Sequence, residues 1–260
     1  MIQESKLKFF YNNMLGAAGS TISVDTTNST GDYSIDYVHN FLEVNSWKER
    51  STGISTTRTF NYDAGVGNEY GADYLAIYGH NLNGSTIVLD ASSDNFVSST
   101  STAASFTVGS TGPILVEFTN PGAKRYWRMR LSRSTATESN IQIMAWGTKT
   151  ELDYIQPPFD PYSQEIKANV NVTQGGYVSG IHTRYTERQL PISMLNESTD
   201  VYESVKTWFE THGPQNFIMA WDSTGSSADV WLVRPDMSMN NPINVDHLRD
   251  ITINLNGRKL

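Results

Sequence analysis

Over the first 150 residues, short runs of β-branched and aromatic residues alternate with clusters of Ser, Thr, Asn and Gly. TISV (21–24), TRTFNYDA (57–64), DYLAIYGHN (73–81), STIVLDAS (85–92), PILVEFT (113–119), RYWRMRLS (125–132) and NIQIMAWG (140–147) have strand character. Several alternate cleanly. In 125–132, Tyr126, Arg128, Arg130 and Ser132 fall on one face, and Trp127, Met129 and Leu131 on the other. In 140–147 the apolar set is Ile141, Ile143 and Ala145, with Gln142 and Met144 opposite. Residues 19–60 and 84–112 are crowded with turn formers, so the stretches between strands read as turns and long loops. Many short strands at this spacing predict an antiparallel sandwich or jelly roll.

The pattern then breaks. ELDYIQPPFDPYSQ (151–164) holds Pro157, Pro158 and Pro161, which exclude helix and interrupt a strand ladder. This predicts a sandwich over 1–155, a semi-rigid linker over 156–164 and a second domain over 165–260. In the second domain, EIKANVNVTQ (165–174) and YVSGIHTRYTERQ (177–189) both alternate, and Gly175–Gly176 between them suits a hairpin turn. One helix is expected near 200–212. Asp200 would cap it, with Glu203 three residues later, and Val201, Val205, Trp208 and Phe209 form an apolar stripe that Gly213–Pro214 ends. NFIMAW (216–221), ADVWLVRP (228–235) and DITINLNGR (250–258) complete the set, the last with Ile251, Ile253 and Leu255 inward. The fold class is mainly β: a jelly roll followed by a smaller barrel- or sandwich-like unit with one helix.

Composition narrows the chemistry. The chain of 260 residues carries a net charge of −8 and no cysteine, which excludes disulfides, thiolate metal sites and cysteine nucleophiles. The acidic balance argues against a protein that coats nucleic acid. No apolar run is long enough to span a membrane, and the first fifteen residues lack a secretory signal, so a soluble protein released as made is expected. The five histidines are isolated, with none at metal-ligand spacing, and GVGNEYG (65–71) misses the dinucleotide fingerprint because a strand follows instead of a helix. Glu43, Glu49, Glu69, Asp73, Glu117, Glu187 and Asp222 are carboxylates without a marked pair, so no catalytic constellation, cofactor or metal is expected. DASSDN (90–95) offers oxygen ligands but lacks the calcium-loop spacing. Of six tryptophans, Trp47 has the loop context of an exposed sugar platform, with Lys48 and Arg50 beside it as candidate glycan contacts. The one basic concentration includes Arg125, Arg128 and Arg130, a candidate contact for an acidic neighbouring subunit.

FFYNNML (9–15), NFLEVNSWKE (40–49), ADYLAIYGHNLNGSTIVLDASSDNF (72–96), PILVEFTNPGAKRYWRMRLS (113–132) and IQIMAWGTK (141–149) resemble, in order and spacing, the galactose-binding-like (discoidin-type) jelly roll of bacteriophage tail proteins. From about residue 160 the element order resembles the tail-tube-like fold of distal and minor tail proteins, with the domain order reversed. The resemblance implies a tail-tip or baseplate component that forms a homo-oligomeric ring through its C-terminal domain. It implies tube and hub proteins as neighbours, a location in the virion after assembly in the host cytoplasm, and no enzymatic activity. The alternative reading is a carbohydrate-binding module for host surface glycan.

Overall fold

The computed structural model describes residues 5–25, 33–49, 54–223, 229–243 and 247–258. The chain is mainly β and divides into two compact units. One is continuous, Phe10–Thr150; the other combines Met1–Phe9 with Glu151–Leu260.

The continuous unit is an antiparallel two-sheet sandwich. Its strands are β2 (Thr21–Val24), β3 (Trp47–Lys48), β4 (Thr57–Asp63), β5 (Tyr74–His80), β6 (Thr86–Ser92), β7 (Ser101–Thr107), β8 (Ile114–Glu117), β9 (Tyr126–Ser132) and β10 (Asn140–Gly147), β1 lying outside it. One sheet runs β2-β4-β9-β6-β7 and the other β3-β10-β5-β8. Between them lie Phe60, Trp127, Met129, Leu131, Ile87 and Leu89 from the first sheet and Leu75, Ile77, Ile141, Met144 and Trp146 from the second. The alternation of 125–132 is realised: Trp127, Met129 and Leu131 are buried, and Tyr126, Arg128, Arg130 and Ser132 face away from the core. The sequence of β7 reads as part of a Ser/Thr-rich loop. The strand forms because Thr86–Ala91 of β6 offers it a ladder, broken by one register shift at Leu89/Asp90, which outweighs the weak strand preference of its serines. Where the chain crosses itself, Gly147 is obligatory: a Cβ there would lie 1.9 Å from the Asn12 carbonyl oxygen.

The second unit is built on a sheet ordered β11-β1-β14-β15-β16-β13-β12. Its strands are β1 (Lys8–Phe10), β11 (Thr150–Glu151), β12 (Glu165–Val172), β13 (Val178–Glu197), β14 (Phe217–Ala220), β15 (Val230–Asn240) and β16 (Arg249–Arg258). Ile251, Ile253 and Leu255 are buried as their alternation predicts, opposite Met194, Ile192 and Leu190 of β13. Helix α1 (Thr199–His212) lies within one residue of its expected span. Its cap is Ser198, whose Oγ accepts from the Val201 N–H, so Asp200 sits in the first turn, where its charge suits the helix dipole. Val205 and Trp208 are fully buried, and Trp208 meets Phe9 of β1 and Phe217 of β14 with centroids 4.8 and 5.1 Å away.

Two expectations about the boundaries are corrected. The first nine residues belong with the C-terminal unit, because Leu7 and Phe9 are fully buried in it; assigning them to the sandwich followed sequence proximity alone. The sandwich is therefore an insertion, leaving the second unit's sheet at β1 and returning at the neighbouring β11. Residues 156–164 are not a free linker. The Phe159 ring lies 6.2 Å from Trp221, the Tyr162 hydroxyl donates to Asp229 (3.1 Å), and Arg188 donates to the Pro161 carbonyl (2.9 Å). The prolines do exclude regular structure, but the aromatics between them bind the segment to its own unit.

Candidate functional site

Trp47 is not an exposed platform, which corrects its candidacy as a sugar contact. The two-residue strand β3 pairs Trp47 with Ile141 of β10, and this register turns the indole inward to meet Phe60 edge-on at 4.9 Å. Its exposure is 0%. Loop context misled because the ordered pair Trp47–Lys48 is too short to read as a strand. Lys48 points outward, pairs with Glu138 at 2.6 Å and lies 5.7 Å from the ring centre of Tyr33. Arg50 lies outside the described residues. Beside Trp47, the buried carboxylate of Glu49 pairs with Arg58 and accepts from the Ser139 N–H (3.1 Å), the Ser139 hydroxyl (2.9 Å) and the Ser55 N–H (3.1 Å). These bonds clamp the loops over Trp47. Tyr33, whose ring lies near Lys48, is 47% exposed.

Arg125, just ahead of β9, and Arg128 and Arg130 on it are all ion-paired, and of the three Arg130 alone is exposed, the other two being half-buried. Arg125 grips Asp63 with Nε and Nη2 at 2.7 and 3.0 Å, and the pair holds the Asp63 carboxyl below its usual range. Arg128 and Arg130 both direct Nε at one oxygen of Asp90, at 3.1 and 2.8 Å, while Thr102 donates to the other at 2.9 Å. Burial alone would raise the Asp90 pKa, but these three hydrogen bonds outweigh it and hold the group ionised. Phe96 lies under the Arg128 guanidinium at 4.0 Å. Local cancellation thus removes much of the free positive charge that the sequence suggests.

In the other unit, β12 is an edge strand, paired antiparallel with β13 to form a long hairpin. Along β12, Ile166, Ala168, Val170 and Val172 share one face; their partners on β13 are Thr186, Thr183, Ile181 and Val178. The opposite face carries Glu165, Lys167, Asn169 and Asn171 across from Glu187, Tyr185, His182 and Gly180. Alternation this clean ordinarily marks a strand with one face on a core. Here Ile166, Val170, Val172, Val178 and Ile181 are all more than half exposed. The sequence showed the alternation but not that the hairpin extends past the core.

The carboxylate candidates do not converge. Glu117 pairs with Lys149 at 2.5 Å, Asp73 accepts from the Lys149 N–H at 2.8 Å, Glu187 neighbours Lys167, and Asp222 accepts from Ser5 at 2.9 Å. His80 accepts from the Leu82 N–H through Nδ1, so Nε2 carries the proton donated to the Gly112 carbonyl at 2.8 Å; burial lowers its pKa. Among the described residues, no group of three His, Cys, Asp or Glu is placed to hold a metal. Sequence gave no sign of Glu197, at the end of β13. Burial first, then the facing Asp153, pushes its carboxyl up to about 7, a rise that Lys6 moderates.

No protein-family model matches the chain, and no curated protein matches it. Among solved structures, the chain is similar to a GH29 fucosidase of Ruminococcus gnavus in complex with fucose, at 14% identity and a TM-score of 0.46, over 55% of this chain and 28% of that one. It is also similar to a chitosan-binding module from a chitosanase/glucanase of Paenibacillus sp. IK-5 (12% identity, TM-score 0.42, 52% of this chain and 98% of that one). A third is the CBM32-5 module of the GH89 protein of Clostridium perfringens, in complex with GalNAc-β-1,3-galactose (9%, 0.41, 50% and 95%). The chain thus covers just over a quarter of the fucosidase's length.

Proposed function

We propose that this chain is a non-catalytic structural protein of a bacteriophage tail tip, which assembles with copies of itself through its C-terminal unit and displays the inserted sandwich. What supports the self-association in this reading is the exposed apolar face of the β12–β13 hairpin, while the tail-tip setting rests on the sequence resemblance. Five aliphatic residues there are each 52–67% exposed, together on the order of a few hundred Å², a patch at the upper end of what a monomer usually leaves open. Two such faces brought together bury about 1,000 Å², the threshold for a specific interface. The free edge of β12 adds unpaired backbone groups that a second copy can complete. Tube and hub proteins are the neighbours implied by the tail-tip setting.

Light scattering of the purified full chain, wild type against a Val170→Asp, Ile181→Asp variant, tests the reading. Both positions are exposed in the single chain, so the variant keeps its far-UV spectrum and should lose the oligomer. A wild-type chain that stays monomeric at high concentration overturns it.

A second reading concerns the sandwich alone: recognition of host surface glycan. The exposed ring of Tyr33, with Lys48 and Glu138 alongside, favours it, since a ring face and flanking polar groups can stack on a sugar and bond its hydroxyls. Saccharide titration of wild type and Tyr33→Ala tests it; equal binding by both rejects Tyr33 as the platform.

A further inference from the structure

The outer face of β9 carries a pair of guanidinium groups whose geometry is fixed from beneath and open above. Arg128 and Arg130 are two residues apart on one strand, so they project from the same face. Each gives its Nε to the same Asp90 oxygen, and Asp90 itself is completely buried. Their four terminal nitrogens meet no acceptor among the described residues. Two cations on one carboxylate leave a local charge of +1 in a chain whose net charge is −8. Arg128 is steadied by Phe96, and the Arg130 side chain is 46% exposed. Across the ladder, Thr59 faces Arg130 and Asn61 faces Arg128, which sets hydroxyl and amide groups beside the cations. Val88, opposite Arg130 on β6, and Phe96 are the apolar neighbours among these polar groups.

We propose that Arg128 and Arg130 form a binding site for the carboxylate of an acidic saccharide, with Asn61 and Thr59 meeting its ring hydroxyls. A guanidinium held at Nε still offers paired Nη–H donors, and two of them side by side match the spread of a carboxylate's lone pairs. Asp90 supplies the positioning: one of its oxygens takes the Nε–H of both groups, and its charge offsets one of the two cations. This inference deepens the glycan-recognition reading of the sandwich and rests on it, but at a surface separate from Tyr33.

The test titrates the full chain with a galacturonic acid disaccharide and with a neutral galactose disaccharide, following the arginine Nε–Hε resonances by NMR. The acidic sugar should shift Arg128 and Arg130 saturably and the neutral sugar should not. Arg130→Gln should weaken acidic-sugar binding about tenfold or more, and Arg130→Lys, which keeps charge but loses the fork, should fall between. Tyr33→Ala should leave this binding intact. The site assignment is overturned by equal shifts from both sugars, by full affinity in Arg130→Gln, or by inorganic sulfate binding as well as the acidic disaccharide. Shifts that follow protein concentration without sugar also overturn it, since acidic side chains of a second copy would then be the occupant. Neutral-sugar binding through Tyr33 with no acidic binding sinks this inference alone; no binding of either sugar sinks the glycan reading with it.

Discussion

Replacing Trp208 by alanine removes the largest side chain from the wall between α1 and the sheet. A buried tryptophan hides roughly 150–250 Å², which at about 25 cal/mol/Å² is worth some 4–6 kcal/mol. Two corrections act on that figure. Alanine retains Cβ, and the Trp208 Nε1–H has no acceptor among the described residues, so losing it returns about 1–3 kcal/mol. The expected cost is then about 1–5 kcal/mol, centred near 3, at the lower end of the usual range for such truncations. Trp208→Phe separates the two contributions: it keeps a ring against Phe9 and Phe217 and discards the unpaired N–H, so it should cost within about 1 kcal/mol. Urea unfolding, with amide exchange of β14–β16 to assign the transition to this unit, measures both. A Trp208→Ala cost below about 1 kcal/mol would refute the burial argument. A Trp208→Phe cost well above about 1 kcal/mol would refute the claim that the N–H is a liability, and one equal to that of Trp208→Ala would refute the packing of the ring against Phe9 and Phe217.

A fragment spanning Phe10–Thr150 should fold alone, whereas deleting residues 1–9 should destabilise the C-terminal unit by removing Phe9; circular dichroism of the two proteins checks this. Gly147→Ala should cost on the order of 2–4 kcal/mol in thermal unfolding of the sandwich, because the obstruction is the Asn12 backbone carbonyl, which cannot rotate away. The Glu197 carboxyl titrates near 4.5 when unfolded and about 7 when folded, so between those values the folded state binds more protons. Stability of its unit should therefore fall as pH rises through that window, by at most ~1.4 kcal/mol per pH unit, and level off above it. Glu197→Gln should flatten the denaturation profile measured over the same range; an unchanged slope would mean that another group causes it.

Elements with a strong alternating signal were legible in the sequence to within a residue or so: β4, β5, β6, β9, β10, β16 and α1. In β4, β9, β16 and α1 burial follows the two- or 3.6-residue period, whereas β5 and β10 are buried on both faces over most of their length, and Met144, which the alternation of 140–147 sets opposite Ile141, lies in the core with it. What escaped depends on partners remote in the chain. Strand β1 is three residues long and gains its place only from β11 and β14. Strand β7 has little apolar character of its own. The discontinuous second unit is invisible locally, since nothing in KFF names the part of the chain that covers it. The sites were harder still. The register of β3 turned Trp47 inward, and Asp90, Glu138 and Asp63, which neutralise the basic residues, carry no mark of their pairing. Exposure of the hairpin was equally unreadable, because the same alternation would serve a core-facing strand.

The insertion of the sandwich between two adjacent strands also constrains when the second unit can form. Strand β1 is made first, yet its neighbour β14 arrives only after the whole sandwich and helix α1. Closing a disordered chain of the sandwich's length would cost about 4 kcal/mol in entropy. A sandwich already folded, whose two ends leave side by side, removes most of that cost and delivers β1 next to β11. The sandwich is thus expected to act during synthesis as a template, collapsing first and holding the opening strand ready. Completion of the seven-stranded sheet then becomes the last and slowest event, gated by β14 through β16.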